Sequence, residues 1–283
     1  MTAVNPMAGL KTRNHVRLAI KVTILLAIAS TAFAQTTDAG TKVILQRALA
    51  YQFQFRVGQT DVVPEYVAML EEATKAEPEN ADLWNAMGVA YLAQAARAMM
   101  PGGRPADALL AIQKGPAALE RALRLNPNHA EAMATHGGVQ AFMGLYQQGP
   151  AGAAKGVDEM NRAIALAPTN RRVRLQRAFS GINLPDALRN RANEAEDLDF
   201  LIASANGTRS GDYLRLMRGD LHAESGARDL ARGQYELVAQ STSPASAVAT
   251  SRLAALDEGS IAAADIKKLR AQAGTNCLMC HGK

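Results

Sequence analysis

Ala81-Asp82-Leu83-Trp84-Asn85-Ala86-Met87-Gly88-Val89-Ala90-Tyr91 follows directly on Glu77-Pro78-Glu79-Asn80, and the two together set the pattern of the chain. The proline ends one helix, because it lacks the amide that would continue the ladder, and restarts the chain in a fixed direction. Ten residues on, Gly88 is small enough to let two helices approach closely. The join recurs as Asn126-Pro127-Asn128-His129-Ala130 and as Ala167-Pro168-Thr169-Asn170, and the small residue recurs as Gly137 and Ala178. The upstream halves agree. Leu70 and Ala73 stand eight and five residues before Pro78; Leu119 and Ala122 precede Pro127, and Met160 and Ala163 precede Pro168, at the same offsets.

With Trp84, Gly88 and Tyr91, and with Met87 in place of leucine, the stretch resembles the W-x-x-L-G-x-x-Y opening of a tetratricopeptide repeat. A further unit runs from Tyr213 to Ala239, where Gly219, Gly226, Ala231 and Tyr235 fall at the small, turn, small and large positions. The resemblance covers most of the chain and implies about five helical hairpins, at 41–78, 81–127, 130–168, 171–205 and 212–243. A lone hairpin cannot hide its apolar face, whereas stacked ones share a core. In this family the stack is a right-handed superhelix whose groove binds a peptide or a partner protein. The prolines here are 49 and 41 residues apart, against about 34 in the family. Insertions of about fifteen and about seven residues follow, placed at Met99–Lys114 and Gln147–Gly156. Their Pro101-Gly102-Gly103 and Gly149-Pro150-Ala151-Gly152 stretches predict widened turns between paired helices.

Composition supports a helical chain. The 283 residues are 48% hydrophobic but only 5% aromatic, enough for a sizeable core, and alanine and leucine abound, which favours helix over sheet. The expected class is all-α, with a repeat domain at 35–243, C-terminal capping helices within 244–272 and an irregular tail at 273–283.

Residues 1–34 read as a Sec-type export signal. Lys11, Arg13, Arg17 and Lys21 precede a largely apolar run from Val22 to Ala29, and Ala32-Phe33-Ala34 gives the small-x-small cleavage pattern before Gln35. The run is too short for the roughly 20 residues that span a bilayer, so no membrane span is expected after cleavage and the product is placed in the periplasm. The formal charge of +5 falls to +1 once those four basic residues are removed, leaving 27 basic against 26 acidic. A nucleic-acid partner has no electrostatic support.

Two helices are expected at 245–258 and 261–272. Gly259 suits the stop of the first and Ser260 caps the second. Beyond them lies Cys277-Leu278-Met279-Cys280-His281-Gly282-Lys283, which holds both cysteines of the chain. The order C-x-x-C-H is the attachment signal for a c-type haem. The Cys277 and Cys280 thiols add across two vinyl groups, and the adjacent His281 reaches the iron. The expectation is one covalent haem c on Cys277, Cys280 and His281, with His281 as the metal ligand. The motif resembles that of c-type cytochromes, in which a long stretch follows it; here two residues do. A larger cytochrome domain continuing past Lys283 is one reading of that. A redox dithiol and half of a zinc site are the other readings of C-x-x-C. The first belongs at the start of a helix after a strand, and the second needs another pair of ligands.

Candidates for a sixth iron ligand are His222 and a methionine among Met99, Met100, Met133, Met143, Met160 and Met217, whose ordinary use is to fill gaps in a core. His222 and His136 are expected in the packing, and His129 exposed in a turn. Trp84 is expected to pack between repeats. Glu194, Glu196, Asp197 and Asp199 are expected to form a solvated face. No phosphate loop, nucleophile elbow or H-E-x-x-H occurs in the sequence, and no catalytic residue is assigned. Two functions remain. One is an exported scaffold that docks a protein, such as a redox protein, and uses its haem for electron transfer or redox sensing. The other is a non-redox periplasmic binding module or an assembly factor, for example in cytochrome c maturation.

Overall fold

Side-chain caps and prolines start the helices of this chain, and close glycine contacts join them. The computed structural model describes residues 39–259 apart from 53, 56–59, 101 and 206–208. Packing divides the chain into a unit ending at Arg47 and a unit beginning at Ala48. In the first, residues 39–47 are helical. In the second, the helical residues 48–52 (α1) are followed by α2 (Val63–Ala76), α3 (Ala81–Ala98), α4 (Pro105–Leu125), α5 (Ala130–Gln148), α6 (Pro150–Leu166), α7 (Arg171–Ile182), α8 (Arg191–Ala205), α9 (Arg209–Glu224), α10 (Arg228–Ala239) and α11 (Ala245–Asp257). No strand occurs among the described residues, and the chain is all-α.

The helices after the joins at Pro78, Pro127 and Pro168 are each started by a side chain. Asn80 accepts from the amides of Asp82 and Leu83, and Asn170 from those of Arg172 and Val173. Such a cap satisfies amides that have no partner within the helix. Successive helices pair as α3 with α4, α5 with α6, α7 with α8 and α9 with α10; α5 also packs on α7, and α11 on both α9 and α10. Leu70, Leu83, Met87, Leu119, Met160, Leu198 and Leu201 are buried between them. Each such side chain contributes roughly 1.5–3 kcal/mol by leaving water.

The small residues stand where helices meet. A Cβ on Gly88 would lie 2.6 Å from Leu119 Cγ, and one on Gly219 would lie 2.5 Å from the Tyr235 ring. Ala178 is fully buried.

The widened turn expected within Gln147–Gly156 does not form, and the one expected within Met99–Lys114 is confined to its first six residues. Only residues 99–104 separate α3 from α4, and only Gly149 separates α5 from α6. The extra residues lengthen the helices instead, to 18, 21, 19 and 17 residues. Pro105 and Pro150 each stand at the start of a helix, where the missing amide costs nothing. Gly152 and Gly156 are helical because the backbone of α5 touches them. A Cβ on Gly156 would lie 2.2 Å from Ala141 N, and one on Gly152 would lie 2.4 Å from Gly144 O. That contact offsets the poor helix propensity of glycine.

Candidate functional site

Cys277, Cys280 and His281 lie outside the described residues, as does the expected helix 261–272. What is described is the platform from which the tail departs. α11 is fastened to it at both ends. At its start, Ser246 Oγ donates to the Ala239 carbonyl at 2.8 Å. At its end, the Arg228 guanidinium donates to the Leu256 carbonyl, and Arg232 pairs with Asp257 at 2.5 Å. In the middle, Arg252 Nε donates to Asp220 Oδ1 at 3.0 Å, and the same oxygen accepts from Tyr235 OH at 2.8 Å. All three residues are buried, so the carboxylate is held by a cation and a hydroxyl in a dry environment.

His222 is half-buried near the end of α9. Burial and the neighbouring Arg218 charge hold its imidazole below the usual histidine range, against the opposing pull of Asp199. Arg218 is paired with Asp199 of α8 at 2.8 Å, so the charges around His222 come from the α8 side of α9. Among the methionines, Met87, Met133 and Met160 are buried in the core, Met100, Met143 and Met217 are half-buried, and Met99 is exposed. Among the described residues no group of three or more His, Cys, Asp or Glu could hold a metal ion.

His129 is not exposed. Its Nδ1 accepts from the Ala132 amide at 3.2 Å, which caps α5. The ring proton is then on Nε2, which donates to Asp82 Oδ1 at 3.0 Å. Only 9% of the side chain is exposed. The turn around it is open, but the ring itself is drawn in by two hydrogen bonds. His136 is half-buried, with Nδ1 2.8 Å from Glu159 Oε2. Trp84 is partly buried against Leu119 and Ala122, and its Nε1 donates to the Pro78 carbonyl at 2.8 Å.

The acidic run on α8 is not one solvated face. Glu196 and Asp199 are exposed, but Glu194 and Asp197 are buried. Asp197 takes Arg174 at 2.8 Å and Arg177 at 2.7 Å. Glu194 takes Arg189 at 2.5 Å, and Arg189 also reaches Glu224 at 2.7 Å. Four acids within the six residues 194–199, on a helix of 3.6 residues per turn, necessarily face different ways; the arginines of α7 and of the α7–α8 turn decide which are buried. The role of these arginines is not evident from the acidic run alone. One signal was available: Arg174 stands six residues after Pro168, as Trp84 does after Pro78.

Among the described residues, two aromatic side chains of α5 are left on the surface. Phe142 and Tyr146 of α5 are 57% and 75% exposed, and their rings meet at 4.8 Å between centroids. No described helix is long and apolar enough to cross a membrane. No family model matches this chain, and no curated protein matches it.

Proposed function

We propose that the chain is an exported scaffold of tetratricopeptide-like hairpins that carries one covalent haem c and docks a protein partner, for electron transfer or redox sensing. The observation that carries this reading is the C-x-x-C-H order of Cys277, Cys280 and His281, downstream of α11 in a sequence that opens with a signal-like segment. The donor set fits the group: two thiols at the spacing of two vinyls, and an imidazole next to the second thiol.

A bound haem supplies a one-electron iron couple whose potential depends on the sixth ligand and on burial. The chain's own residues do the rest. Cys277 and Cys280 hold the ring by two thioether bonds, so that it stays attached in every oxidation state of the metal. His281 supplies a neutral imidazole nitrogen. The Arg228, Arg232 and Arg252 contacts hold α11, and thereby hold the root of the tail to the stack. The exposed Phe142–Tyr146 pair supports docking, because aromatic residues are enriched at interface cores.

The test is expression of the full chain, signal included, in a host that attaches haem in the periplasm, followed by haem-stained denaturing electrophoresis of the exported product. A haem-positive band that disappears in Cys277→Ala/Cys280→Ala supports the reading. A colourless band in a host that loads a control cytochrome sinks it, and leaves the binding-module reading.

A further inference from the structure

A glycine inside a helix of this molecule marks a place where another helix comes close. Nine glycines inside α3–α9 have atoms of a neighbouring helix against the position a Cβ would take, from 2.2 Å at Gly156 to 3.2 Å at Gly181. Gly233, in the middle of α10, has nothing within 4 Å. Glycine is a poor helix former, and no contact among the described residues offsets it there.

α10 is buried on one side only. Ala231, Tyr235 and Val238 pack with residues of α9 and α11. On the opposite side Leu230, Gly233 and Leu237 stand at i, i+3 and i+7, along one line of the helix; the two leucines are 59% and 54% exposed. At the edges of this face Gln234 takes Arg215 of α9 at 3.3 Å, and Arg232 takes Asp257 of α11 at 2.5 Å. Asp229 and Glu236, also seven residues apart, run beside the Gly233 line on the α11 edge. Both are exposed, and neither has an ion pair among the described residues. Their charge reaches Arg232, but that guanidinium is already engaged by Asp257.

We propose that this face docks a helix of another protein, basic along the edge that meets Asp229 and Glu236. Gly233 lets the incoming backbone approach closely. Leu230 and Leu237, about 10 Å apart along the axis, pack on either side of the crossing. That the occupant is a helix follows from what the nine other glycines meet; that it is basic follows from the two unpaired carboxylates. A second copy of this chain lacks the complement. Two α10 helices related by a two-fold axis set the acidic edge against itself when antiparallel, and against leucine when parallel. The contact requires neither the haem nor the Phe142–Tyr146 pair, so it stands or fails independently of both.

The probe is a fluorescein-labelled amphipathic peptide with alanine and leucine on one face and lysine along one edge; its twin carries glutamate in place of lysine. Anisotropy with the signal-cleaved chain is expected to show binding of the lysine peptide only, weakening as salt is raised. Gly233→Leu and Asp229→Lys/Glu236→Lys each lower the affinity at least about tenfold. The thermal midpoint of Gly233→Leu stays at or above that of the wild type, because the added side chain has open space. Equal binding of both peptides, binding unaltered by Gly233→Leu, or no binding overturns the proposal. Hydroxyl-radical footprinting of the free chain decides among occupants. Leu230 and Leu237 are expected to oxidise readily in the monomer and to be shielded by the peptide. Shielding in the free monomer gives the face to the chain's own remaining residues, and shielding in a dimer that Gly233→Leu dissociates gives it to a second copy; either result overturns the proposal.

Discussion

Arg174 Nε donates to the Pro168 carbonyl at 2.6 Å, the bond that Trp84 Nε1 makes to Pro78 two hairpins earlier. Two unlike side chains at one repeat position thus satisfy the same carbonyl in the join. The predicted consequence is that the donor matters more than the ring. Trp84→Phe keeps most of the packing and loses the bond, costing about 1 kcal/mol in urea unfolding. Trp84→Ala costs more, about 2–4 kcal/mol, because a cavity is added.

Asp197 is fully buried and held by two arginines. Asp197→Asn removes the buried charge that both arginines share, and leaves Arg174, nine-tenths enclosed, paired with the exposed Glu196 at 3.0 Å. Breaking a buried pair in this way costs about 3–5 kcal/mol, measured as a lowered urea midpoint with an unchanged m-value.

Arg252 and Asp220 give a sharper version. Arg252→Met takes the cation from a buried carboxylate that still accepts from the Tyr235 hydroxyl, and α11 is expected to lose amide protection before the rest of the chain. Arg252→Met/Asp220→Leu removes both charges and recovers at least half of the loss, since a buried pair is often no better than apolar packing. A double variant as unstable as the sum of its singles would contradict this.

Two glycines predict opposite signs. A Cβ on Gly156 meets backbone atoms of Ala141 and Gly137 at 2.2 and 2.3 Å, and backbone cannot rotate away. Gly156→Ala is expected to cost at least about 1–3 kcal/mol. Gly233 of α10 has open space around its Cβ position, and Gly233→Ala is expected to stabilise by about 0.5–1 kcal/mol through the unfolded chain and helix propensity. Thermal midpoints of the pair decide it.

His222 sets a pH dependence. Burial and Arg218 hold its folded pKa below the unfolded value of 6.5, so in that window the unfolded chain binds more protons than the folded one. Stability from this group is therefore complete above about pH 6.5 and is lost as pH falls through the folded pKa. His222→Gln is expected to flatten the stability profile between about pH 7 and about pH 5. An unchanged slope would place the titration elsewhere.

Much of the helical pairing could be read from Pro78, Pro127 and Pro168, because a proline has few places to stand in a helical chain. The lengths of α3 to α6 could not. Gly149-Pro150-Ala151-Gly152 has the composition of a loop, and only the contact of Gly152 with Gly144 across the hairpin makes it helix. The side of α8 that is buried was equally hidden, since Glu194 and Glu196 differ only in which arginine the fold brings near. In the candidate site, the C-x-x-C-H order is legible from chemistry alone. The Asp220–Tyr235–Arg252 lock that holds α11 is not, because Tyr235 and Arg252 are 15 and 32 residues from Asp220 in sequence.

The most direct test of the central claim is the intact mass of the signal-cleaved protein purified from the periplasm of a host competent in haem attachment. The account predicts the polypeptide plus one haem, reverting to the bare polypeptide in Cys277→Ala/Cys280→Ala. The bare mass in the wild-type protein would contradict it.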